Sequence, residues 1–168
     1  MRIMPTLGHH GHRLRKDIIA VLGHPNYCLV RLRDRRGRRK WKKVAAHRRD
    51  EDRRPFIVDF EIRRKLRGRR EGFGKALKLV PSRSSWGRWD IVVKIGGSKQ
   101  YFHRLVGMSV TPLCTDKQGR IVEPRFLGAD EVHLFEVHHG DDDVKFCVSD
   151  SLHVLHPQYH RSLERRRA

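Results

Sequence analysis

The chain has 168 residues, enough for one domain of ordinary size or for a small domain with an extended arm. No run of about 18 apolar residues occurs, so no membrane-spanning helix is expected. The three cysteines (Cys28, Cys114, Cys147) are too scattered for a disulfide framework or a cysteine zinc site, which points to a reducing compartment.

Charge is distributed unevenly. Residues 1–80 hold 25 basic and 8 acidic side chains, a net of +17, whereas residues 81–168 hold 13 and 11, a net of +2. This asymmetry points to a polyanion bound by the N-terminal half. Most of the excess is Arg, whose planar fork matches phosphate and stacks on bases. Nothing in the composition calls for a membrane or a small-molecule substrate.

Met1–Arg13, with Gly8-His9-His10-Gly11-His12, is acid-free and reads as an irregular lead. In charge it resembles a mitochondrial presequence, although its amphipathicity is poor. Leu14, Ile18, Ile19 and Leu22 fall at helical spacing, so a helix is expected over Leu14–Leu22 with Gly23 as its C-cap. Tyr27–Arg33 alternates like a strand, Asp34-Arg35-Arg36-Gly37 reads as a turn, and Arg38–Val44 is the expected return strand of a basic-tipped hairpin.

The residues expected to contact nucleic acid are Arg31, Arg33, Arg35, Arg36, Arg38, Arg39, Lys40, Trp41, Lys42 and Lys43, then Arg63, Arg64, Arg67, Arg69 and Arg70. Trp41 among these charges either stacks on a base or covers the hairpin's core face. His47–Arg54 is a charged linker, Phe56–Ile62 a strand, and Phe73–Val80 a further strand. Pro81–Ser85 is the expected boundary between a basic region, 1–80, and a second region, 81–168.

In the second region, Arg88–Ile95 is a strand, Gly96-Gly97 a tight turn and Lys99–His103 the return strand. Apolar residues at Leu105, Val106 and Met108 follow, then a turn at Thr115–Arg120. Val132–Val137 is a strand delivering His138-His139. An Asp-rich loop (Asp141, Asp142, Asp143), a short Leu152–Leu155 element and a helix from Pro157 to about Arg166 carrying His160 complete the chain.

Two segments carry a family resemblance. Gly87-Arg88-Trp89-Asp90-Ile91-Val92-Val93-Lys94-Ile95 with Tyr101-Phe102-His103-Arg104-Leu105-Val106, and the constellation from His138 to His160, together resemble the HNH (ββα-metal) endonucleases of phage and intron homing type. The resemblance covers about half the chain and implies an α+β fold: a C-terminal ββα module preceded by a β-hairpin, behind a basic hairpin-containing region. It implies that His138 and His160 hold a divalent metal (Mg or Zn) and that His139 is the general base. In that family a central Asn orients the base; here Ser151, beside Asp150, stands at its place.

Ser cannot span what an Asn amide spans, and loss of an orienting group slows catalysis by orders of magnitude. The expectation is therefore a structural RNA-binding protein on a degenerate HNH scaffold, needing no cofactor for binding. A near-neutral body with a basic extension is also the build of lineage-specific organellar ribosomal proteins, so ribosomal RNA, neighbouring ribosomal proteins and the mitochondrion are the expected setting. The alternative is a metal-dependent DNA endonuclease. The Gly87–Phe102 hairpin also resembles the DNA-binding sheet of plant and apicomplexan transcription factors, a minor third reading.

Overall fold

A computed structural model describes residues 17–67, 72–110, 114–122, 135–139 and 143–167. Within these the chain is a mixed α+β structure made mostly of sheet. The expected lead, Arg69 and Arg70, and Asp141 and Asp142 lie outside the described residues.

The expected first helix is, from Ile18 onward, a strand. β1 (Ile18–Val21) pairs antiparallel with β2 (His24–Arg31), Ile18 opposite Val30 and Ile19 opposite Leu29. Three of its four residues are β-branched, and they alternate exposed and buried, which suits a half-buried strand. Gly23 serves the hairpin turn with φ 79°, not a helix cap.

The basic hairpin forms only at its tip. The Asp34 N–H donates to the Arg38 carbonyl, and Arg33 bridges Arg39. The return strand then leaves: β3 (Lys42–Val44) pairs with β4 (Phe56–Val58) in a different sheet. The expected single strand Phe56–Ile62 is accordingly two, bent at Asp59. β5 (Phe60–Leu66) crosses to the first sheet, between β2 and β6 (Gly72–Ala76). Phe56, Val58, Phe60 and Ile62 all lie in one core despite the bend, so both sheets bury their inner face on the same cluster.

The expected boundary is mostly strand. β7 (Val80–Arg83) pairs with β8 (Trp89–Ile95), and β8 pairs with β9 (Ser98–Tyr101) through the tight Gly96-Gly97 turn, both glycines having positive φ. α1 (Phe102–Val110) follows, so His103 belongs to the helix and not to the return strand. β10 (Cys114–Thr115) and β11 (Ile121–Val122) flank the expected turn.

β12 (Glu136–His139) pairs antiparallel with β14 (Leu152–Leu155), His138 opposite His153, and α2 (Pro157–Arg167) runs on from β14. Between them β13 (Phe146–Cys147) runs parallel to β4 and completes the sheet β13–β4–β3.

One hydrophobic cluster draws on both halves of the sequence: Ile19, Leu29, Phe56, Phe60 and Ile62 pack with Ile91, Val93, Phe102, Val106 and Leu152. No helix among the described residues is long and apolar enough to cross a membrane.

Candidate nucleic-acid interface and histidine cleft

β12 positions the first histidines. Alternate residues of a strand share a face, which puts Glu136 beside His138 and sends His139 to the other side. Helix α2 brings His160 against β12, so His138 Nδ1 and His160 Nε2 approach to 3.1 Å. Glu136 grips His160 Nδ1 from behind, and Glu164, one turn along α2, lies 3.7 Å from Nε2. The cleft in front of them, about 140 Å3, is lined by Arg88, Val137, His138, His139, Val144, His160 and Glu164.

α1 seats β12 closely. A Cβ on Gly107 would come within 2.6 Å of a Val137 methyl, so only glycine allows this approach of helix to strand.

Two imidazole nitrogens 3.1 Å apart are at hydrogen-bond distance. They are also near the separation of about 3.3 Å that two ligands at the usual Zn–N length keep on a tetrahedral ion. Imidazoles suit Zn better than Mg, which prefers oxygen. Among the described residues no group of three or more His, Cys, Asp or Glu is disposed to hold a metal ion. The pair therefore offers two ligands, and a cation would have to complete its shell from water or phosphate.

His139 is 4% exposed and lies against two groups that the sequence reading did not single out. Its ring tilts over His103 with centroids 4.7 Å apart, and its Nε2 lies 3.8 Å from Cys147 Sγ. Burial pushes the Cys147 thiol up to about 12, so it is neutral. The thiol also donates to the Val144 carbonyl at 3.4 Å, which leaves the sulfur as an acceptor for an Nε2–H of His139. Burial, with His139, Arg88 and Arg104 nearby, holds His103 well below the usual histidine range.

Ser151, which the resemblance sets at the place of an orienting Asn, and its neighbour Asp150 are engaged elsewhere. Ser151 Oγ donates to the carbonyls of Val148 (2.9 Å) and Phe146 (3.1 Å), inside its own turn. Asp150 takes Arg39 Nη1 at 3.1 Å.

Arg39–Asp150 is one of several ties by which the basic half holds the loop between β12 and β14. Arg54 bridges Asp52 and Asp143. Lys145, buried with its ammonium over Phe56, binds Asp50. The Ser149 backbone N–H and hydroxyl both donate to the buried Asp59, at 3.0 and 2.6 Å. Burial raises the Asp59 carboxyl against the lowering effect of these bonds.

Part of the expected nucleic-acid set is likewise used within the fold. Arg31 is 5% exposed, with its guanidinium over Phe60 and beside Asp17 and Asp59, which takes it off the surface assigned to it. Arg33 pairs with Asp17, Arg38 with Asp34, and Arg63 with Glu61 and the Gly74 carbonyl. Arg67 donates to Asn26 at 2.6 Å but stays exposed.

Arg35, Arg36, Lys40, Lys42, Lys43 and Arg64 are exposed as expected. Trp41 is 58% exposed, and its ring meets Phe146 edge to face at 5.7 Å.

Of the residues not anticipated, Glu136 was legible as i−2 to His138 on a strand. Arg88, His103 and Cys147 reach the histidines only through packing. No protein-family model, curated protein or solved structure matches the chain.

Proposed function

We propose that this protein binds RNA structurally. Its Arg-rich half takes phosphates, and a degenerate HNH-like ββα module serves as a scaffold. A mitochondrial ribosome, with rRNA and neighbouring ribosomal proteins as partners, is the setting proposed for it.

The observation that carries the reading is Ser151. Its hydroxyl is taken up by the carbonyls of Phe146 and Val148, so the group standing in for the orienting Asn serves the turn and not His139. Exposed Arg35, Arg36, Lys40, Lys42 and Lys43 supply the positive face.

Binding is then electrostatic. For six to ten phosphate contacts, affinity falls by about 10³–10⁵ between 50 and 200 mM salt.

A second reading, a metal-dependent DNA endonuclease, is favoured by the convergence of His138, His139, His160 and Arg88 on one cleft. In it the metal would stabilise charge developing on a phosphate, held by His138 and His160.

The test compares wild type with His139→Ala on plasmid DNA and structured RNA, with Mg2+, Mn2+ and Zn2+. Tight, salt-sensitive RNA binding without cleavage, the same in both proteins, is the expected result. Cleavage that disappears in His139→Ala would overturn it in favour of the nuclease.

A further inference from the structure

Three hairpin turns in this chain share one construction. In Asp34–Arg38, Ser84–Arg88 and Asp116–Arg120 the first residue's N–H donates to the fifth residue's carbonyl, and the fourth, a glycine, donates to the first residue's carbonyl. The first residue's side-chain oxygen accepts the fifth residue's N–H in each. The glycines, Gly37, Gly87 and Gly119, have φ of 75°, 82° and 85°, a region other residues rarely adopt.

The third position of such a turn points away from the sheet. In two turns it holds an exposed polar residue, Arg36 or Gln118. In the β7–β8 turn it holds Trp86, 95% exposed. A tryptophan usually buries most of its large apolar surface. Here none of the described residues covers it, on a turn fixed by three hydrogen bonds.

Its surroundings indicate the occupant. The rest of the turn is Ser84, Ser85, Gly87 and Arg88, so the ring is a lone platform rather than part of an apolar patch of the kind a protein partner's core requires. Exposed Arg83, on the stem, packs its guanidinium against the turn, with Nη2 3.4 Å from where a Gly87 Cβ would lie. One exposed ring beside an arginine matches one base beside its phosphate.

We infer that Trp86 is a stacking platform for an unpaired nucleobase, with Arg83 taking the adjacent phosphate. The nucleic-acid surface thereby extends beyond the Arg-rich half onto the β7–β8 turn. This rests on the nucleic-acid-binding reading above.

The test uses the full chain with a short oligouridylate and its abasic counterpart of identical backbone. Wild type, Trp86→Ala, Trp86→Phe and Arg83→Ala are titrated by fluorescence anisotropy at several salt concentrations. A base stack contributes about 1–3 kcal/mol, so Trp86→Ala should bind oligouridylate about 5- to 140-fold more weakly. Trp86→Phe should recover most of that loss.

The salt slope should persist in Trp86→Ala and shrink in Arg83→Ala, and the abasic strand should bind wild type and Trp86→Ala equally. Equal oligouridylate binding by wild type and Trp86→Ala overturns the inference while leaving nucleic-acid binding intact. An equal loss on the abasic strand also overturns it, because no base is then involved. If no protein binds either strand, the RNA-binding reading fails and the inference with it.

Discussion

His103→Leu should flatten the acid limb of the stability curve. His103 sits at the start of α1 with its side chain 12% exposed, and its ring lies against His139. Burial first, then the neighbouring His139, Arg88 and Arg104, hold its pKa well below the ordinary value of 6.5.

Asp90, 3.9 Å from Nδ1, offers little compensation. Its carboxylate is gripped by Arg88 through contacts of 3.0 and 3.1 Å, and 3.9 Å is too long for a hydrogen bond.

The native state therefore keeps His103 neutral while the unfolded chain takes up a proton below pH 6.5. The unfolded state then binds more protons, so stability falls as pH falls through that window, by about 1.4 kcal/mol per pH unit. Between pH 6.5 and 5 the titration of the unfolded chain caps the loss attributable to this residue at about 1.6 kcal/mol.

The assay is urea denaturation at constant ionic strength from pH 7.5 to 5. The difference between the wild-type and His103→Leu slopes is the quantity compared. Parallel wild-type and His103→Leu curves would refute the reasoning, because they would mean that the buried imidazole charges without penalty.

Two packing predictions follow from the same region. Gly107→Ala places a methyl 2.6 Å from Val137 and should cost about 1–3 kcal/mol by overpacking. The double variant with Val137→Ala should recover part of this in thermal melts, and no recovery would show that the clash lies elsewhere. Asp50→Ala leaves the Lys145 ammonium buried without its carboxylate. Urea unfolding should show a loss of about 3–5 kcal/mol, and a loss under 1 kcal/mol would mean that Lys145 reaches water instead.

Much of the framework was legible from local pattern. Gly96-Gly97 between two alternating runs specified a hairpin because both turn residues need positive φ. Pro157 marked the start of α2, and the short Leu152–Leu155 element proved to be a fully buried strand. Ile18–Val21 was misread because four apolar positions fitted a helical period, whereas pairing with β2 buries Ile19 and Val21 on one face of a sheet. The hairpin at Asp34–Arg38 was read correctly at its turn and wrongly beyond it: which sheet Lys42–Val44 joins depends on Phe56–Val58, a partner that no local spacing reveals.

The candidate site divides along the same line. By itself the sequence determined the charge asymmetry and the order of a strand before His138, a short Leu152–Leu155 element and a helix from Pro157, because charge, short-range periodicity and turn chemistry act along the chain; the pairing of His138 with His160 came only from the family resemblance. Only the tertiary structure decided that Arg31 is buried, that Arg39 holds Asp150, that Ser151 serves its own turn and that Trp86 stands bare on a rigid one. Those outcomes depend on which surfaces meet across distant segments. Burial and hydrogen-bond partners follow from such packing, and local spacing does not encode it.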